Sequence, residues 1–194
     1  MHHSILIAFI QMATATVPTQ SPATVATTPA LQTIALEQSA LKRAEPQKTY
    51  AQCDPRWRNR TIKSETLCEV GCTLFALRSA AEKSGQVYGP EEFLDLLKRH
   101  NVFDRNDNVI WGRIPQALPL EANRFGGAIS EHDVDRHLAL GRQVLLQVDN
   151  HHWVAAAEVK DGEILVDDSK DGQRVALYER YRGITGFATI TRSA

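Results

Sequence analysis

No apolar run in the 194 residues approaches the ~20 that a membrane-spanning helix needs. Nor is there a surplus of either charge: 22 Lys and Arg stand against 23 Asp and Glu, for a net charge of −1. A nucleic-acid binder needs a basic excess to neutralise phosphates, so that class is set aside. Cysteine is scarce. Cys53, Cys68 and Cys72 are too few for a disulfide scaffold and too few for a four-thiolate zinc site. Metal, nucleotide and flavin motifs are missing, so no cofactor and no metal are expected.

Two further absences divide the chain. No Asp, Glu, Lys or Arg precedes Glu37, and no glycine precedes Gly71. Residues 13–30 are almost wholly Ala, Thr, Pro, Ser and Val, with Pro18, Pro22 and Pro29 spaced through them. Such a stretch cannot assemble a packed core and is expected to be extended. Residues 1–47 are therefore set apart from a folded domain at 48–194. Ser4–Met12 followed by Ala13-Thr14-Ala15 has two readings. One is a signal peptide with a small-residue cleavage site, although no Lys or Arg precedes its apolar core. The other is an arm that docks on an assembly partner through a flexible tether. Export is favoured over an intracellular location. Residues 31–44 read as a short linker helix.

What is present in the domain has clear periodicity. Gly71 to Gly85 reads as a helix with Leu74, Phe75, Leu77, Arg78 and Ala81 on one stripe and Gly85 closing it. A second helix starts with Pro90 at its first position, Glu91 and Glu92 at the positive end of its dipole, and Phe93, Leu96 and Leu97 facing inward. A third runs from the N-cap Ser130 to Leu140, where Gly141 stops it. Strands follow at Gln143–Asp149, His152–Val159, Glu163–Asp167, Gln173–Arg180 and Gly186–Arg192. Asp161-Gly162 and Asp171-Gly172 mark turns between them. Helices followed by an antiparallel sheet make an α+β fold.

Cys72 is the first chemical candidate. At the start of an apolar helix, a thiol feels the positive end of the dipole, which favours thiolate, and Gly71 before it permits close approach. The bland alternative is a small buried hydrophobe. A thiol nucleophile needs a base and the base needs an orienting group. His152 opens an apolar strand, and alternation should send neighbouring His151 to the opposite face, so that only one imidazole faces Cys72. Asp167 and Asp168 end the next strand. A three-residue loop at 160–162 pairs Val159 with Glu163 and brings Asp168 opposite Val154, onto the His152 face. A two-residue Asp161-Gly162 turn brings Asp167 there instead, and the choice stays open. Gln52, 20 residues before Cys72, can supply an amide N–H to an oxyanion beside the Cys72 backbone N–H.

Taken in order, Tyr50, Gln52, Asp54 and Trp57, then Gly71-Cys72, Pro90-Glu91-Glu92, the stretch Gly141–Val154 and the strand Ile164–Asp168 resemble the C39-like group of papain-like cysteine peptidases. The resemblance spans roughly residues 49–192. It implies a papain-like fold and hydrolysis of peptide or amide bonds. It also implies Cys72 as nucleophile, His152 as base and then acid, Asp168 as its orienter, and Gln52 as oxyanion donor. Family members commonly carry Asp-Pro where this chain has Asp168-Ser169, which keeps Asp167 in play. Cys53 and Cys68 fall outside the catalytic pattern; in an exported protein they could form a disulfide and leave Cys72 free. The expected partner is a peptide or protein substrate, peptidoglycan included. The alternatives are amide transfer on the same fold, or a catalytically silent binding module anchored by residues 1–47. His132, Asp133 and His137 read as solvated helix polarity. Trp57, Trp111 and Trp153 read as core or groove lining.

Overall fold

The computed structural model describes residues 49–149 and 151–193. The expectations for residues 1–47 (signal peptide or docking arm, tether, linker helix) lie outside the described residues.

A loop carrying the half-buried Tyr50 and the buried Trp57 opens the described chain, and the Trp57 indole N–H donates to Ala51 O at 2.9 Å. Helix α1 (Leu67–Val70) is a single turn, begun where the Glu69 carboxylate accepts from the Thr66 N–H and hydroxyl. Gly71 ends α1 and opens α2 (Cys72–Lys83). A methyl at Gly71 would run into the Leu67 carbonyl oxygen, so only glycine lets α2 begin directly after α1. Leu74, Phe75, Ala76, Leu77, Ala80 and Ala81 of α2 are all buried. Helix α3 (Pro90–Arg99) starts at proline as expected, and buries Phe93, Leu94 and Leu97. A 3₁₀ turn at Trp111–Arg113 and a one-turn helix α4 (Ile114–Ala117) lead into β1 (Leu120–Gly126). Helix α5 (Glu131–Ala139) follows, with the Ser130 hydroxyl accepting from the Asp133 N–H.

The remaining strands are β2 (Gln143–Val148), β3 (His152–Lys160), β4 (Glu163–Asp168), β5 (Gln173–Ala176) and β6 (Ile184–Arg192). They form one antiparallel sheet in the order β1-β6-β2-β3-β4-β5. Alternation along the strands splits the apolar residues between two cores. Leu145, Trp153, Ala155, Ala188 and Ile190 pack with α2 and α3; Val144, Leu146, Val148, Val154, Ala156, Ile164 and Val166 pack with Val134 of α5. Each fully buried Leu or Phe is worth about 1.5–3 kcal/mol. The fold is thus α+β with helices on both faces of the sheet.

The segment expected as one strand from Gln173 to Arg180 is corrected by the structure. It is a strand only to Ala176 and turns into helix α6 (Leu177–Arg180). The reason is helical spacing: Leu177 and Tyr181, four apart, both enter the second core, at 0% and 8% exposure. Strand β1 and helices α1 and α4 were not expected at all.

The β3–β4 register resolves an open alternative. The turn has two residues, since Lys160 pairs with Glu163 around Asp161-Gly162. Without interruption that turn would set Asp167 opposite Ala156, on the side of β3 that carries His152, and Asp168 opposite Ala155. A bulge between Ala156 and Glu158 shifts the pairing by one, to Ala156↔Val166 and Ala155↔Asp167. Continuing the ladder places Asp168 opposite Val154, on the side of β3 that carries His152. Asp167 points the other way, to Lys83 at 3.1 Å and Arg174 at 2.8 Å.

Candidate active site

Cys72 is the first residue of α2, half-buried and the one unbridged cysteine. As a first-turn residue its backbone N–H has no intrahelical acceptor. The sulfur lines a groove together with the imidazole of His152 and with Trp153, at the start of β3. Burial alone would push this thiol up; the hydrogen bonds from His152 and Trp153 and the imidazolium charge outweigh it and bring the thiol below its ordinary value.

The second ring nitrogen of His152 is spoken for. His152 Nε2 and Asp168 Oδ1 are 2.8 Å apart, which leaves Nδ1 for the thiol. Burial would lower the imidazole, but Asp168 and Cys72 together raise it to about 9. Asp168 is wholly buried and fully engaged. Besides His152 it accepts from the Tyr181 hydroxyl at 2.5 Å, Arg180 Nη1 at 2.8 Å and the Lys170 N–H at 2.9 Å. These donors overcome the cost of burial and hold its carboxyl well below the usual carboxylate range. The ring of Tyr181 also stands 5.6 Å from that of His152, so the phenol both anchors Asp168 and packs on the imidazole.

Gln52 completes the group. Its backbone N–H donates to Ser169 O at 2.7 Å, and the Ser169 hydroxyl donates to Gln52 Oε1 at 3.0 Å. Those contacts fix the amide so that Nε2 points toward Cys68 O, 2.8 Å away, with one of its two hydrogens. Gln52 lines the groove beside Cys72. A disulfide between Cys53 and Cys68 ties the Gln52 segment to α1. Cys72, His152 and Gln52 line one groove of about 650 Å³; His152 and Gln52 also line a second pocket of about 370 Å³, which Cys72 does not reach. The structure therefore brings Cys72, His152, Asp168 and Gln52 together, and keeps Asp167 apart. No group of three or more His, Cys, Asp or Glu suited to a metal ion occurs among the described residues.

Among solved structures, the chain is similar to the crystal structure of a double glycine motif protease from an AMS/PCAT transporter in complex with the leader peptide. The two are 13% identical, the match covers 63% of this chain and 84% of that chain, and the TM-score is 0.46. No family model matches the sequence. No curated protein matches it either.

Several residues at the site carried no sequence signal. Arg180 and Tyr181 lie at and just beyond the end of α6, which the sequence presents as a strand. Ser169 was visible only as a departure from the expected Asp-Pro. His151 was read as a strand residue facing away, yet it sits in the turn before β3 with φ of 73°, so strand alternation does not govern it, and it lines the same groove as His152. Gln147 of β2 is 7% exposed in a strand otherwise apolar apart from its first residue; a polar residue buried at that position was the available clue.

Proposed function

We propose that this chain is a papain-like thiol peptidase that cleaves peptide or amide bonds by acyl transfer at Cys72. The observation that carries the proposal is the chain of contacts from the Cys72 thiol through His152 to the buried Asp168. A structural cysteine needs neither an imidazole nor a carboxylate behind it.

In the reaction, the Cys72 thiolate attacks the carbonyl carbon and a C–S bond forms while the carbonyl electrons move to oxygen. The second Gln52 Nε2 hydrogen and the Cys72 N–H donate to that oxyanion. His152, as imidazolium, gives its proton to the leaving nitrogen, and the C–N bond breaks to leave a thioester. Water then attacks the thioester with His152 as base, the acid departs and the thiolate–imidazolium pair is restored. Asp168 stays ionised throughout and holds the ring. The Cys53–Cys68 disulfide suits an oxidising compartment and supports export as the setting.

The test is turnover of a quenched peptide library and of cell-wall peptides, by the native chain and by Cys72→Ala. The variant is expected to fold with unchanged near-ultraviolet dichroism and to lose turnover entirely. Equal turnover by both would remove Cys72 from the chemistry. Transfer to an added amine in place of water would move the reading to amide transfer.

A further inference from the structure

The groove holds a cation that the proposed reaction does not use. Arg124 of β1 is exposed, lines the groove with Cys72 and stands with its guanidinium carbon 5.7 Å from the Trp153 ring centroid. Among the described residues no carboxylate comes within ion-pair distance of it.

Arg124 is nevertheless held in place. Its Nη2 donates to Gln147 Oε1 at 3.3 Å, and Gln147 Nε2 lies 3.1 Å from His151 Nδ1. Because Oε1 takes the arginine proton, Nε2 must be the donor to His151, whose Nδ1 is then the acceptor. Gly186, paired with Gln147 across β2–β6, makes room for this amide: a Cβ there would sit 2.8 Å from Gln147 Oε1. One glycine, one buried amide and one tryptophan thus position a guanidinium whose remaining donors have no acceptor among the described residues.

The acids of the same groove are engaged by other donors, although Asp107 Oδ1 is buried without a partner among the described residues. Glu69 accepts from Thr66, Asp104 from the Asn106 and Asn108 N–H groups, and Asp107 from Ser64 and Glu65. None of them pairs with Arg124. The unpaired, preset cation is therefore free for a ligand of opposite charge.

We infer that Arg124, set by Gln147 and Trp153, is a substrate-recognition residue that binds a carboxylate side chain, Asp or Glu, on the acyl half of the peptide. This rests on the peptidase reading above. The acyl half stays on Cys72 in the thioester, and Cys72 lines the larger groove with Arg124 while the smaller pocket lacks both. An acidic side chain near the cleaved bond on that half meets the guanidinium; a C-terminal carboxylate on the leaving half does not.

The test uses binding, so it does not depend on turnover. N-acetylated alanine octapeptides with a single Glu, or its isostere Gln, at each interior position, and matched C-terminal acid and amide forms, are titrated into Cys72→Ala by calorimetry. At one or two positions Glu should bind about fivefold to tenfold tighter than Gln, and the ratio should fall to about one in Cys72→Ala/Arg124→Gln and survive in part in Cys72→Ala/Arg124→Lys. A Glu:Gln ratio of one at every position overturns the inference. So does a ratio that persists without Arg124, a preference confined to the terminal acid, or no binding of any peptide at millimolar concentration. Charge-selective binding without turnover by the native chain would keep the carboxylate site and remove the peptidase.

Discussion

At the scale of single residues, the site depends on where two amide hydrogens and one hydroxyl point. Gln52 serves an oxyanion only if Nε2, and not Oε1, faces the groove, and the Ser169 hydroxyl on Oε1 sets that choice. Gln52→Ala is expected to lower kcat by about 10²–10³-fold with little change in KM, since the donor acts on charge that develops after binding. Ser169→Ala should lower kcat by up to about tenfold, the worth of one neutral hydrogen bond. Steady-state kinetics on one cleaved peptide checks both. A larger loss for Ser169→Ala than for Gln52→Ala would contradict the order of action. Gln52 and Asp168 were legible as residue types with a purpose. Ser169, Tyr181 and Gln147 were not, because each acts through a partner distant in sequence and has no motif of its own.

At the scale of elements, two backbone devices aim the side chains. The bulge in β3 returns Asp168 to the His152 side after a two-residue turn that would by itself have delivered Asp167. A bulge has no residue signature in a run such as Ala155-Ala156-Ala157, which is why register stayed undecided in the sequence. The second device is Gly71, where α1 passes straight into α2. Gly71→Ala forces the Leu67 carbonyl and the start of α2 apart. It should cost about 1–3 kcal/mol in chemical denaturation, and the displaced Cys72 should lose reactivity even in the molecules that remain folded. Retention of both stability and reactivity would show that the junction has slack. Helices α2, α3 and α5 were readable because their caps and apolar stripes are local. Strand β1 was not: it is an edge strand, largely exposed, and its apolar–polar alternation stops after Asn123.

At the scale of the whole molecule, the last strand of the chain, β6, lies between β1 and β2, and α5 covers the face that α2 and α3 leave open. Neither placement is visible from local pattern, since both are settled by which apolar faces find each other. The Cys53–Cys68 bridge spans 15 residues and joins the Gln52 segment to the turn before Cys72. Its loss should destabilise folding by about 3 kcal/mol on the loop-entropy account. Cys53→Ser/Cys68→Ser is expected to melt lower while keeping Cys72 as its single thiol; the native protein should gain 2 Da on reduction, as one disulfide requires. No mass change would remove the bridge from the account. pH acts on the fold through His152. Its folded value of about 9 lies above the ordinary ~6.5, so the stability it adds is fully present below ~6.5 and is lost as pH rises through about 9.

The central claim is a thiolate–imidazolium pair at Cys72 and His152. The most direct measurement is the pH dependence of iodoacetamide alkylation at each thiol, followed by peptide mass spectrometry in the native chain and in His152→Ala. An unpaired thiol titrates near ~8.5. The account predicts that Cys72 reacts rapidly already at about pH 6, and that His152→Ala moves its profile up toward the ordinary thiol value. A native Cys72 that titrates as an ordinary thiol, or whose profile is the same without His152, would contradict it.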